Sequence, residues 1–433
     1  ITHVLVIDGT GKEVKKDQTV IFSNGIIQKT GDSKAVTLPK NAYEINGQGK
    51  TLIPGLVMLH EHMYYPIPFD NFFSVREMPY TFPRLYLAGG VTTMRTGGSI
   101  EPQTDVNIKN WINQGKMTGP KIDASGPYIE REGMDIPEIG FIHDPKQATE
   151  LVNYWADRGV TSFKMYMHAT KEDLANAVAA AHKHGMKITG HLCSITYAEA
   201  SNLGIDDLEH GFMASSDFVT DKSENECSPD THKALSETDV NDPRVTELID
   251  LLIKNHTAIT TTPNVFEPFT GREIVPGGGF ESLIPQLQEK EKSLYDRVQN
   301  KNSASLAMFN KNLVWLKRFY EKGGLLVAGT DPTGSGRVVP GYSNRRTVEI
   351  LVEAGFSVPD AIKICTLNGA TYLEQQDEIG TIEAGKKADL VLINGDLSSD
   401  IKDIRKTETV FKDGVGFDSA KLFESVRGKV GLY

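Results

Sequence analysis

The stretch from Leu52 to Tyr65, LIPGLVMLHEHMYY, decides how the rest of the chain is read. Pro54 and Gly55 open it, an apolar run follows, and the run stops abruptly at His60-Glu61-His62. Successive side chains of a strand alternate between faces, so His60 and His62 share one face and Glu61 takes the other. Two imidazoles side by side at the end of a buried strand are either the start of a metal site or two solvated histidines. The chain supplies its own control. His182 and His184 have the same spacing in AVAAAHKHGMK, but the alanine-rich run predicts a helix. On a helix, positions two apart diverge by about 200°. That pair reads as cations at a helix C-terminus closed by Gly185.

Outward from this stretch, residues 52–382 alternate apolar strands with helical segments, which predicts βα units and a parallel sheet. The strand candidates are LIPGLVMLH, GVTTMRT, KIDASG, GVTSFKMYM, MKITGH, DDLEH, TAITTTP and GLLVAGTD. KQATELVNYWADRG and KEDLANAVAAAHKHG are the firmest helices between them. Both ends of the chain have a different texture. THVLVID and QTVIFSNGIIQKTG at the start, and KADLVLINGD and TETVFKDGVGF at the end, are β-rich segments broken by glycine. Asn24-Gly25 is a hairpin turn. The expected fold class is therefore α/β: a (β/α)8 TIM barrel over 52–382, with a small β-sandwich-like domain built from 1–51 and 383–433. The long connections 211–243 and 263–290 are candidate lids. PGGGF at Pro276–Phe280 lacks the strand, helix and Lys-Ser/Thr of a phosphate cradle and reads as a flexible link.

At 433 residues and 39% hydrophobic, the chain can bury a large core. A net charge of −11 argues against nucleic acid or an anionic membrane as partner, and no apolar run approaches a membrane span. The expected partner is a small-molecule substrate, and the composition leaves a homo-oligomer open. Cys193, Cys227 and Cys365 are odd in number and far apart, so no disulfide framework is expected. The chain opens at Ile1, already strand-like and without methionine; a removed export signal, and hence the periplasm, is the expectation preferred over the cytoplasm.

The ends of the candidate strands hold the chemistry: His60 and His62 on the first, Lys164 on the fourth, His191 on the fifth, His210 on the sixth and Asp331 on the eighth. Barrel enzymes draw their catalytic groups from several strand ends on one face. Singly, His191 reads as a strand cap, His210 as a core histidine and Asp331 as a turn residue; together they converge on one mouth. Pro332 disfavours helical geometry at Asp331 and predicts an extended backbone there.

At this point the sequence resembles the amidohydrolase superfamily of metal-dependent hydrolases. The motifs that carry the likeness are PGLVMLHEH, GVTTMRTGG, GVTSFKMYM, AAAHKHGMKITGH, IDDLEHGF, AGTDP and the tail EIGTIEAGKKADLVLINGD. The prolidase-like and imidazolonepropionase-like branch is the most similar. The resemblance implies two divalent metal ions, zinc first. His60, His62 and Asp331 would hold one and His191 and His210 the other, with Lys164, carboxylated on its amine, bridging them. It implies attack on an amide carbonyl by a hydroxide shared between the metals. Asp331 would take the proton and pass it to the leaving nitrogen. A dipeptide or N-acyl amino acid is the first choice of substrate; a lactone or cyclic amide is the alternative. A mononuclear deaminase on this fold would have glutamate three residues after His191, where this chain has Ser194. Where related chains read His-Arg-Glu, this one reads Asn344-Arg345-Arg346-Thr347. Arg345 or Arg337 could then bind a substrate carboxylate. Tyr64, Tyr65, Arg95, Tyr166 and His168 complete the candidate pocket, placed there only by their position at strand ends.

Overall fold

Gly55 divides the opening run between two sheets: Thr51–Pro54 belongs to one and Leu56–Glu61 to the other. A Cβ at Gly55 would collide with Thr92, so the changeover needs glycine. The structure, a computed structural model, describes residues 1–432 apart from 70–71, 135, 137, 299–302 and 334–336.

The fold is α/β of the TIM-barrel type. Its parallel strands are Leu56–Glu61, Val91–Thr96, Lys121–Asp123 continued by Ser125–Ile129, Ser162–Met165, Lys187–Gly190, Asp207–Glu209, Ala258–Thr261 and Leu326–Ala328. Each falls inside one of the candidate segments or directly extends it. The third position is shared. Lys121–Asp123 pairs with the second strand and Ser125–Ile129 with the fourth, and Ala124 O between them accepts the N–H of Thr161 at 2.7 Å. At the last strand, the N–H groups of Thr330 and Asp331 donate to His60 O at 3.1 and 3.0 Å. Helices follow the strands with well-formed starts. Asp144 caps Pro145–Ala156, and Thr170 with Asp173 forms a capping box for Lys171–Lys183. That second helix ends at His184 and Gly185, with Gly185 at φ 67°.

The two chain ends meet in a seven-stranded sheet ordered Val415–Asp418, Thr407–Lys412, Leu390–Ile393, Thr51–Pro54, Val4–Val6, Lys15–Ser23 and Ile26–Asp32. A sandwich-like pair of sheets was the expectation; the structure has one sheet. The cause is Thr51–Pro54, which pairs parallel with Val4–Val6 and antiparallel with Leu390–Ile393 and so stitches the ends edge to edge. Alternation sorts its side chains. Val4, Val6, Leu52, Leu390, Leu392 and Phe411 form one apolar cluster, while Ile53, Val391, Ile393 and Val410 face the main core.

Three further features depart from expectation. Cys193 and Cys227 are bonded, with Cα atoms 4.8 Å apart, because the 211–243 connection returns Cys227 to the end of the fifth strand. Cys365 is the buried, free third cysteine whose presence hid the pair. Gly277, Gly278 and Gly279 do not form a loose link. All three have φ between 79° and 99°, and added Cβ atoms at Gly277 and Gly279 would lie 2.8 and 2.7 Å from Arg346 and Tyr342. Close packing, not flexibility, requires them. After the first strand, a hairpin of Tyr64–Phe69 and Phe72–Glu77 is inserted, where no hairpin was expected. No described helix is long and apolar enough to cross a membrane.

Candidate active site

The strand ends bring His60, His62, Lys164, His191, His210 and Asp331 to the lining of one cavity of about 430 Å3. His60 Nε2 lies 3.4 Å and His62 Nε2 3.0 Å from Asp331 Oδ1. The His210 ring meets His60 at a tilt and His191 edge to face, with centroids 4.6 and 4.3 Å away. His60, His62 and Asp331 offer three ligand atoms within 4.8 Å of one another.

Two imidazoles, His62 and His210, are oriented by hydrogen bonds from behind, and a third, His60, faces a carboxylate without one. His62 Nδ1 donates to Gly98 O at 3.2 Å. His60 Nδ1 faces Glu209 Oε2 at 3.3 Å, and His210 Nδ1 pairs with Thr262 Oγ1 at 2.7 Å. With Nδ1 turned to an acceptor, Nε2 keeps its lone pair for the mouth, which is the usual arrangement of a metal-ligating histidine. Electrostatics agree. Burial, reinforced by Lys164, holds His60 well below its ordinary value and pushes His191 down to about 3. Burial also lowers His62, and burial with His191 lowers His210. Each shift favours the neutral imidazole, the form that binds a cation. Asp331 is held well below the usual carboxylate range: burial opposes its ionisation, and His60, His62 and His210 outweigh it.

Two backbone turns build this arrangement. His210 has φ 70°, which breaks the strand alternation, so Glu209 and His210 both reach the site instead of opposite faces. Asp331 has φ 58°, left-handed and not extended as expected. The strand has already ended there, since the N–H groups of Thr330 and Asp331 converge on one carbonyl. Pro332 acts against right-handed helix at Asp331, and aspartate tolerates the left-handed region that it occupies instead.

Lys164 is buried, and its Nζ contacts Glu209 Oε2. Burial, then the Arg95 guanidinium, lowers Lys164 well below an ordinary lysine. Glu209 was not among the expected site residues. It accepts from Arg95 Nη2 at 2.8 Å and Thr189 Oγ1 at 2.7 Å, so it ties Lys164, His60 and Arg95 together. Its signal was its place beside His210 in LEHGF, cancelled by the assumption of regular alternation. Tyr128, at the end of the third strand, was also missed. It lines the cavity and shares a 2.5 Å hydrogen bond with Tyr64.

Of the expected pocket residues, Tyr64 and Tyr166 line the cavity. Tyr65 is buried against Phe82. Arg95 is buried on Glu209, Asp207 and Thr189, and His168 pairs with Glu130 at 3.3 Å. Arg337 donates to Pro268 O at 2.8 Å, and Arg345 donates to Arg405 O at 2.8 Å beside the rings of Tyr342 and Phe423. None of these last five lies in the cavity lining, and each is held by a structural partner. The Asn344–Thr347 segment braces the first strand from outside: Asn344 donates to Glu61 at 2.9 Å and Thr347 to Asn264 at 2.5 Å. Ser194 donates to Ala169 O at 2.5 Å.

Comparison with known proteins agrees with this geometry. Enamidase from Eubacterium barkeri is 24% identical over 222 residues, covering 47% of this chain and 53% of that relative. The chain thus spans about half the length of the enamidase it matches. Imidazolonepropionase from Geobacillus sp. (strain WCH70) is 23% identical over 360 residues, covering 81% of this chain and 76% of the relative. Among solved structures, a putative prolidase from Bifidobacterium longum superposes with a TM-score of 0.71 at 22% identity, over 98% of both chains. A Xaa-Pro dipeptidase with bound methionine gives 0.71 at 22% identity, over 96% of this chain and 98% of that one. Residues 51–416 match the model of the amidohydrolase family, and the chain belongs to that family.

Proposed function

We propose that this protein is a metal-dependent hydrolase that cleaves an amide C–N bond. The observation that carries the reading is the convergence of four histidines, one aspartate and one buried lysine on a single cavity. The donor set fits divalent cations: imidazole nitrogens with a carboxylate suit zinc first. His60, His62 and Asp331 would hold one ion, and His191 and His210 a second. Lys164, carboxylated by carbon dioxide, would join the two. The lowered Lys164 favours the neutral amine that such carboxylation needs. A carbamate keeps one N–H, and Glu209 Oε2 is positioned to accept it.

Bound cations would depress the pKa of a water and polarise the scissile carbonyl. The chain's own residues do the rest. Asp331 takes the proton of the attacking water and delivers it to the leaving nitrogen. Tyr64 and Tyr128, phenols paired through their hydroxyls, leave one O–H free to donate in the cavity. Supporting details complete the reading. The bonds from Thr330 and Asp331 to His60 O support closure of the eight strand positions into a barrel. The separate apolar cluster of Val4, Val6, Leu390 and Phe411 supports a second domain from residues 1–51 and 383–433, with Leu52–Pro54 of the shared strand added to it. The Cys193–Cys227 bond supports an exported, oxidising location.

The test is elemental analysis of protein grown with zinc and bicarbonate, combined with turnover of amide and lactone panels. Close to two zinc equivalents with a carbamate mass on Lys164 and amide turnover is the expected result. One equivalent with unmodified Lys164 would favour a mononuclear site. Robust lactone hydrolysis with no amide turnover would overturn the amide reading.

A further inference from the structure

Above the metal-ligating floor, the cavity walls are apolar. Val75, Ile100, Ile136 and Ile139 stand on one side, Val265 and Phe266 on the other. The first wall is continuous: Val75, Ile139, Tyr64 and Tyr128 form one buried cluster, against which Ile100, Ile136 and Tyr166 pack. Tyr128 and Tyr166 meet edge to face at 4.8 Å, so the aromatic surface also presents mostly ring to the cavity.

No cation stands among these walls. Among the described residues, Lys164 on the floor is the one lysine or arginine in the lining, and it faces Glu209. Of the arginines near in sequence, Arg76 is exposed while its neighbour Val75 is buried, and the others are committed elsewhere. Arg131 holds both oxygens of Asp173 at 2.6 and 2.9 Å, and Arg95 is bound to Glu209. Arg337 and Arg345 are held by Pro268 and Arg405. The segments 68–74, 135, 137 and 334–336, which adjoin lining residues in sequence, contain no lysine or arginine at all. A substrate carboxylate would therefore enter a largely apolar space with only the hydroxyls of the tyrosines and Thr333 to meet it above the floor. Burial of a charge without a partner opposes binding, whereas burial of hydrocarbon favours it.

We propose that the substrate is an uncharged, apolar amide with hydrocarbon or aryl groups flanking the scissile bond, not one bearing a carboxylate. This rests on the amide-hydrolase reading above and names its substrate class. Neutral walls also fit the floor: the carbonyl is the one polar group such a substrate must bring to the cations and to the Tyr64–Tyr128 hydroxyls.

The test uses the zinc-loaded full chain and a matched set: hexanoic acid anilide, its ring-carboxylated counterpart 4-(hexanoylamino)benzoate, and N-hexanoylphenylalanine. Both kcat/KM and binding by calorimetry are measured for each. The neutral anilide is expected to exceed both carboxylates by at least about tenfold in each measurement. A carboxylate within about tenfold of the anilide in both would overturn the proposal. If nothing is hydrolysed but the anilide still binds at least about tenfold tighter, the substrate class stands and the hydrolase reading falls. No turnover and no preference in binding would overturn both. Ile100→Arg, with Ile136→Arg as second variant should the first fail to fold, supplies the missing cation. It is expected to shift the preference toward the carboxylates by about tenfold or more; an unchanged preference in both folded variants would also overturn the proposal.

Discussion

The chain between Asp331 and Glu353 serves two buried clusters of charge, and they are built on opposite principles. At one end, Asp331 joins His60, His62 and His210 in a cluster that lines a cavity. At the other, Arg346 donates to Glu267, Glu349 and Glu353, while Arg405 grips Glu349 and Arg272 grips Glu267 and Glu353. The arginine network uses its donors and acceptors on one another. The histidine cluster ties His62 and His210 to supports through Nδ1 and turns the Nε2 atoms of His60 and His62 to Asp331 at the cavity. Buried charge alone does not mark a site; buried charge with unspent valence facing a cavity does.

Substitutions in the two clusters should therefore fail differently. Asp331→Asn is expected to lower kcat roughly 10²–10⁴-fold, the usual worth of a positioned acid or base, with little change in melting temperature. Zinc content is measured on the same sample, since near-normal kcat in a zinc-loaded variant would remove Asp331 from the mechanism. Arg346→Ala should do the reverse. It removes one of the two arginine partners of Glu267 and of Glu349 and is expected to cost about 1.5–3 kcal/mol of stability by urea unfolding, while the folded fraction keeps its zinc. A variant that lost zinc while keeping its stability would erase the contrast.

The sequence showed one cluster more readily than the other because periodicity carries strand ends but not partners. Apolar runs ending in His60, His191 and His210 announced which residues sit at the mouth, and the eight candidate segments each hold a strand. Arg337 and Arg345 had no such signal. Their partners, Pro268 and Arg405, are distant in sequence, so a structural arginine and a substrate-binding one read alike. Glu209 was hidden by the left-handed turn at His210, and Asp331 takes the same kind of turn. No alternation rule anticipates a residue that leaves the strand. The Cys193–Cys227 bond was illegible for a related reason: pairing depends on where a 34-residue connection returns.

Glu209 stands between the two kinds of cluster, partnered on one oxygen by Arg95 and Thr189 and turned on the other toward Lys164 and His60. Glu209→Gln is expected to weaken zinc binding by about 10–100-fold, the usual cost of losing an outer-shell partner of a metal-ligating histidine. Competition against a chelator of known affinity reads this directly. Unchanged affinity would class Glu209 with the closed network, as a partner of Arg95 alone.

The smallest expected effect concerns a pair that belongs to neither class. Glu291 is buried beside Arg337, with its Oε2 3.8 Å from the guanidinium Nε and no hydrogen bond to that oxygen among the described residues. Burial pushes Glu291 up to about 7, although Arg337 pulls the other way. An unfolded glutamate titrates near about 4.3. Between these values the folded chain holds a proton that the unfolded chain has released, so folding is favoured by acid. The contribution is fully present below the unfolded value and is lost as pH rises through the folded one. Glu291→Gln cannot titrate and should lack this slope. From urea unfolding at pH 5 and pH 8, the parent is expected to lose about 1–2 kcal/mol more than the variant across that interval. The slope is the diagnostic, because glutamine also changes what Arg337 faces at every pH. Equal losses in the two proteins would mean that Glu291 is already ionised at pH 5, its charge met by Arg337 as fully as Glu267 is met by Arg346.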